Sequence, residues 1–321
     1  MIQRKHSTAL FLVSIVAQLY LSKADEREIN NVMLIKIGGS SVTVKDQKET
    51  FNETVVKWFT ETIADVVSPF YRMGDTHDCA LHEKPAVVLV HGAGSFGHHT
   101  AKEFNLKGYP HDNSEFNSNT MEGLAKTRHS VQKLNQRIVA ELLAVGVKAV
   151  GISPCFGGLR NLDLFEEQQS WLIDVLRETL RSGLVPVLHG DACLYGSSAA
   201  ILSGDTLLQM CSPLAGQIVF LTDVDGVFQS DPKTNPTAQF IPNIAVDSQG
   251  NLVLSHVIQA TESSHSHDVT GGLKTKLAAA IAIAASGRVV TIAKSGSLSA
   301  ENVLRGEGGE DVRCTRIFRQ D

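Results

Sequence analysis

No two cysteines in this 321-residue chain are spaced C-x-x-C. There are five, Cys79, Cys155, Cys193, Cys211 and Cys314, an odd number at wide intervals. That argues against a disulfide framework and against a zinc site, and it favours a reducing compartment. Long basic runs are missing as well, and the formal net charge is −5, so a nucleic-acid partner gets no support. No Gly-Lys-Ser or Gly-Lys-Thr closes a P-loop, and no Gly-x-Ser-x-Gly or Ser-His-Asp pattern marks a hydrolase. The apolar run at residues 8–21 falls short of the roughly 20 residues that span a bilayer. With Arg4 and Lys5 before it and Ser22-Lys23-Ala24 after it, the run has the layout of a secretory signal. The unpaired cysteines stand against secretion. Residues 1–31 are therefore expected to be a poorly ordered or amphipathic extension, with membrane contact only if the apolar run is retained. Residues 32–321 are expected to form a single domain.

What the chain does contain is enough apolar residue (43%) and little enough charge (20%) for a substantial core. Its organising stretch is Val87-Val88-Leu89-Val90-His91-Gly92-Ala93-Gly94-Ser95-Phe96-Gly97-His98. Four apolar residues without alternation suit a strand covered on both faces. The glycines that follow let backbone N–H groups come close to a ligand at a helix start, where an anion is favoured. His98 is placed to touch that anion, unless the stretch is a plain strand-to-helix turn with a surface histidine. A second such turn follows residues 32–37. It reads Lys36-Ile37-Gly38-Gly39-Ser40, then Thr43 and Lys45. A cation inside an apolar strand is costly unless it reaches an anion at the strand end or snorkels from an edge.

Helical spacing is clear over 51–67, 120–145, 166–181 and 277–285, and strands are expected at 147–152, 184–188, 218–221, 288–293 and 313–318. Alternation of this kind implies a doubly wound, mostly parallel sheet with ligands at the carboxyl ends of its strands. Those ends carry His189-Gly190-Asp191, Ser203-Gly204-Asp205-Thr206 and Thr222-Asp223-Val224-Asp225-Gly226. Asp205 suits either a helix cap or a ligand. Asp223 and Asp225 suit magnesium, a ribose or an Asx-turn. Thr270-Gly271-Gly272 opens a further helix start with Lys274 and Lys276 behind it, and Lys276 either faces a phosphate or solvent. Two histidine groupings, His77-Asp78 with His82 and His265-x-His267, are better read as polar loops than as metal sites. Residues 109–119 read as a loop at the rim of the site. Three glycine-rich turns and lysines 36, 45 and 276 exceed what one phosphate needs. They fit a triphosphate lying beside a second anion, and in-line phosphoryl transfer needs alignment and charge neutralisation more than covalent help.

The Lys-x-Gly-Gly-Ser start, the Gly-Asp and Thr-Asp-x-Asp-Gly-Val elements and the Thr-Gly-Gly-x-x-x-Lys helix start resemble the amino acid kinase superfamily. His-Gly-Ala-Gly-Ser-Phe-Gly-His and Asp-Val-Thr-Gly-Gly resemble its isopentenyl phosphate kinase branch. The resemblance runs through residues 32–319. It implies a three-layer αβα sandwich around a mostly parallel open sheet, a homodimer and ATP-dependent phosphorylation of isopentenyl phosphate. A cytoplasmic location is expected from the cysteines and a site suited to ATP, with the signal-like N-terminal segment leaving secretory or membrane-associated targeting open. By position, Lys36, Ile37, Gly38, Gly39, Ser40, Gly94, Asp223, Gly271, Gly272 and Lys276 would hold ATP. Ala93, Gly94, His98, Gly204 and Asp205 would hold the acceptor. Lys45, His98, Lys36 and Lys276 would carry catalysis, with Mg2+ held by the ATP phosphates and no side-chain ligand assigned. A histidine at position 98 suits an acceptor that is already a phosphate, since a protonated imidazole gives a charge-assisted hydrogen bond. A fosfomycin-type kinase, or a non-catalytic nucleotide-binding protein, is the alternative. The extension, the 74–84 loop and the segment before Asp268 depart from the family pattern.

Overall fold

A computed structural model describes residues 31–74, 84–111, 118–155, 165–230, 232, 235–253, 272–307, 309 and 311–320. The chain divides into two units, 1–30 and 31–321, and the first lies outside the described residues. So do the His77–His82 and His265–His267 groupings, Phe156, Thr270, Gly271 and residues 112–117 of the rim loop.

The strands are β1 (Val32–Ile37), β2 (Ala86–His91), β3 (Lys107–Gly108), β4 (Ala149–Ile152), β5 (Val185–His189), β6 (Asp191–Tyr195), β7 (Ser198–Leu202) and β8 (Gln217–Thr222), followed by β9 (Val227–Phe228), β10 (Phe240–Ile241), β11 (Asn243–Val246), β12 (Val289–Lys294) and β13 (Thr315–Arg319). The helices are α1 (Gly39–Val42), α2 (Glu53–Val66), α3 (Gly94–Glu103), α4 (Ser118–Ala144), α5 (Phe165–Arg181), α6 (Gly204–Cys211), α7 (Gly272–Ala285) and α8 (Leu298–Arg305).

Eight strands form the central sheet in the order β11-β13-β12-β8-β1-β2-β5-β4. Every pairing is parallel except β12 with β13. All six residues of β1 and all six of β2 are buried, as the unalternating apolar runs require of strands covered on both faces. Helices α2, α3, α4 and α8 pack with one another as one layer, and α5, α6 and α7 as the other. The result is the expected three-layer αβα sandwich. Because β1 lies between β2 and β8, the chain leaves β1 in one lateral direction and later returns to its other side. That is a topological switch point, and the crevice beyond the carboxyl ends of β1, β2 and β8 is where such sheets hold ligands.

Two differences from the sequence reading bear on the site. Helix α3 begins at Gly94, one turn earlier than expected, so the glycines are its first turn and His98 sits in its second. Strands β6 and β7 form an antiparallel hairpin off the main sheet, with β3 added to β7 in parallel. A two-residue Gly196-Ser197 connection, with Gly196 at φ +55°, closes it, as tight hairpins favour. The hairpin faces α4 and makes one wall of the site. The start of the rim loop is tied to it, since Tyr109 donates its N–H to the Ile201 carbonyl and a His111 ring nitrogen lies 3.1 Å from the Ala199 carbonyl.

Candidate active site

Lys36 does not snorkel from an edge. It is the fifth residue of a central strand, is 5% exposed, and its Nζ lies 3.0 Å from Asp205 Oδ1. That oxygen has no hydrogen bond, so the contact balances charge without the alignment of a hydrogen bond and leaves the ammonium donors to point elsewhere. Asp205 is not the cap of α6. Ser203 is the cap and accepts from the Thr206 N–H at 3.1 Å, which frees Asp205 in the first turn to face the lysine. Gly204 has a structural reason beyond any ligand, because a Cβ there would lie 2.8 Å from Lys36 Cε. The lysine stem can cross the helix start only over a glycine.

The turns after β1 and β2 lie against one another. A Cβ at Gly39 would fall 2.3 Å from the backbone nitrogen of Gly94, so the backbones touch where side chains would normally hold them apart. Thr43 locks the pair, since its hydroxyl donates to the Gly39 carbonyl at 2.8 Å and accepts from the Ser95 N–H at 2.9 Å. Part of the glycine content thus serves loop-on-loop packing, and one N–H of the α3 start is spent on Thr43. Ile37 is buried at the end of β1, Gly38 donates its N–H to the Leu221 carbonyl, and Ser40 is exposed. Lys45 follows on an exposed turn, and a His99 ring nitrogen lies 3.2 Å from its carbonyl. That contact holds the turn beside α3, next to His98.

On the β8 side, Thr222 ends the strand. Its hydroxyl accepts from Lys276 Nζ at 2.8 Å and lies 3.2 Å from the Asp223 carboxylate. Lys276 is half-buried and Asp223 exposed, so Lys276 is turned to the strand end and not to a solvated face. Asp225, by contrast, pairs with Arg313 at 3.6 Å. Gly272 is the first residue of α7. Lysines 36 and 276 are therefore both at the carboxyl edge of the sheet, reached from different parts of the chain.

Ala93, Gly97, His98 and Gly204 line one small pocket of about 40 Å³, together with Ala101, Thr127, Val131, Gly190, Asp191, Ile201, Leu202 and Ser203. It lies between α3, α4 and the β6–β7 hairpin. Its far side merges into an apolar cluster of Ala101, Phe104, Leu106, Leu124, Ala192 and Ala199.

Beneath the pocket is a polar core that sequence reading missed. The Asp191 side chain is fully buried. Its Oδ2 takes Arg128 Nη1 at 2.8 Å and the Ser153 hydroxyl at 3.0 Å, and its Oδ1 takes the Ala192 N–H at 2.9 Å. Burial pushes the Asp191 carboxyl above its ordinary value, against the pull of His189 and Arg128. His91 and His189 end β2 and β5 side by side, with ring centroids 5.9 Å apart. Asn135 donates to His91 Nε2 at 3.1 Å, so the ring proton sits on Nδ1 and points at the Gly92 carbonyl 3.0 Å away. Burial, with His189 and Lys36 adding to it, pushes His91 down to about 3, and burial lowers His189 too. Both rings are neutral braces for the turns above them. One signal was available in the sequence: Thr127 falls in phase with Leu124, Val131 and Leu134 on the buried stripe of α4.

One expectation is amended. Cys155 and Cys193 are joined in a disulfide, with Cα atoms 6.1 Å apart and a separation of 38 positions in sequence. Wide spacing along the chain says little once β4 and β6 are brought together. Cys211 and Cys314 are free, so the described residues hold one pair and not a disulfide framework.

Among known proteins, the chain is 30% identical to the isopentenyl phosphate kinase of Arabidopsis thaliana over 92% of its own length and 96% of that protein's. It is also 30% identical to the isopentenyl phosphate kinase of Methanothermobacter thermautotrophicus, over 89% and 98%. X-ray structures of isopentenyl phosphate kinase superpose with a TM-score of 0.65 at 25% identity, covering 89% of this chain and 100% of that one. The amino acid kinase family pattern matches residues 31–294, and with the switch-point crevice and its lysines in place, the chain belongs to the amino acid kinase family.

Proposed function

We propose that this chain transfers the γ-phosphoryl group of ATP to isopentenyl phosphate, giving isopentenyl diphosphate and ADP. The observation that carries this reading is the acceptor pocket. His98 and the backbone of Ala93 stand at one part of its lining, beside Gly204 and hence Lys36, while Ala101, Val131, Ile201 and Leu202 supply an apolar wall. A phosphate with a short hydrocarbon tail matches both halves. The two kinases 30% identical to it along nearly their whole lengths carry that name.

A non-bridging oxygen of the acceptor phosphate attacks the γ-phosphorus, the bond to the β,γ-bridging oxygen breaks, and the electron pair leaves on ADP. His98 and the Ala93 backbone hold the acceptor, with Gly94 between the substrates. Lys36 and Lys45 neutralise charge on the moving group. Lys276, the Gly38-Gly39-Ser40 turn, Gly272 and Asp223 hold the donor. Positioning and electrostatics suffice, because the transfer needs little covalent chemistry from protein. Among the described residues no group of three His, Cys, Asp or Glu side chains forms a cage. Magnesium enters this reading with ATP, where it would help neutralise phosphate charge. The reading also carries a homodimer, checked by sedimentation, and a location where ATP is supplied, with the cytoplasm first. Among the described residues no helix is long and apolar enough to cross a membrane.

Coupled ADP-release assays with isopentenyl phosphate, dimethylallyl phosphate and fosfomycin test the proposal. Turnover of the first is expected, and its absence with both isoprenoid phosphates would defeat the reading.

A further inference from the structure

The acceptor pocket contains a polar group that phosphoryl transfer does not use. Thr127 is 1% exposed, lines the pocket, and its hydroxyl has no hydrogen-bond partner among the described residues. Buried hydroxyls are nearly always partnered, and this one has a donor and two acceptor sites to offer. No hydrogen bond joins it to the neighbouring Asp191, whose carboxylate takes Arg128, Ser153 and the Ala192 N–H.

Its place along the pocket follows from helix register. A Cβ on Gly97 would lie 3.2 Å from Val131 Cγ2, and one on Gly123 would lie 2.3 Å from Phe104 Cβ. Helices α3 and α4 are therefore antiparallel, and Val131 is level with the His98 turn. Thr127, four residues back, lies about 6 Å further from that turn, toward Ala101 and the apolar cluster. That is the reach of a short alkyl chain whose phosphate sits at His98.

We propose that Thr127 makes the far end of the pocket a polar-tail subsite. On this view the enzyme also phosphorylates short alkyl monophosphates that carry a hydroxyl on the distal carbon. This rests on the acceptor assignment above. The bond changes are those already given: the acceptor phosphate oxygen attacks, ADP leaves, and the distal hydroxyl is bound but not phosphorylated.

The test compares 4-hydroxybutyl phosphate with butyl phosphate on the full chain, wild type against Thr127→Val and Thr127→Ser. Both kcat/KM and calorimetric binding are read, so the subsite is judged even if turnover fails. The wild type should favour the hydroxylated compound, Thr127→Val should shift the ratio about tenfold toward butyl phosphate, and Thr127→Ser should restore it. A wild-type ratio at or below one, or an unchanged ratio in the valine variant, would overturn the proposal. An equal loss for both compounds with a lowered Tm would do the same, by assigning the threonine to packing. Failure of isopentenyl phosphate itself would instead remove the parent reading.

Discussion

The two sides of the crevice are built on different terms. On the acceptor side His98 itself is exposed, but the polar groups beneath it are largely buried and mostly committed, with Lys36 against Asp205, Asp191 under three donors, and His91 and His189 braced behind the turns. On the donor side the Asp223 carboxylate is exposed and Lys276 is half-buried on the Thr222 hydroxyl. A buried charge is held in place because losing its partner is expensive, while an exposed one is screened and adjustable. Discrimination is therefore expected to reside in the acceptor pocket, where geometry is prebuilt.

The largest way to break that contrast is Lys36→Met. It removes a charge aimed at the transferring group and leaves the half-buried Asp205 without its cation. Turnover should fall by about 10²–10³, and stability by roughly 3 kcal/mol, read as kcat and by denaturant unfolding. Adding Asp205→Asn should recover the stability and not the turnover. Recovery of both would make the lysine structural. Next in size, His98→Ala should raise the acceptor KM by about 10- to 100-fold with little change for ATP. Lys45→Met, on its exposed turn, should lower kcat with modest change in either KM, as for a contact made in the transition state. Equal shifts for both substrates in His98→Ala would dissolve the two-sided picture.

The smallest effect concerns the braces. His91 is held near 3 against an ordinary value of 6.5, and His189 is lowered as well. The unfolded chain therefore takes up protons below about 6.5 that the folded chain refuses. Stability should decline as pH falls from 6.5, by on the order of 1 kcal/mol per unit from His91, with His189 adding in the same direction. A pH series of unfolding curves checks it, and His189→Gln should flatten the slope. A slope unchanged by that variant would show that other groups set the acid response.

Much of the site was legible before any coordinates, because phosphate chemistry leaves local marks. Lys36, Gly38, Gly39, Ala93, Gly94, His98, Gly204 and Lys276 all stand in short glycine-punctuated runs at strand ends. Arg128, Ser153, Asn135 and the Cys155–Cys193 bond have no such local mark. Each depends on a partner brought from 25 or more residues away. The β6–β7 hairpin was overlooked for a related reason, since its short strands lie off the main sheet and pack on α4.

Sequence by itself settled the alternation of buried strands and helices, and with it the sheet, since residue spacing alone records which faces meet water. It also pointed to the strand ends as the place for anions, from the lysines gathered there beside glycine turns. Only the tertiary structure decided which partner each polar group takes: Asp205 facing Lys36 and not capping its helix, Asp225 bound to Arg313, and the buried Thr127 hydroxyl without a partner among the described residues. Pairing depends on distances between segments remote in the chain, and those are set by packing, which no local pattern encodes.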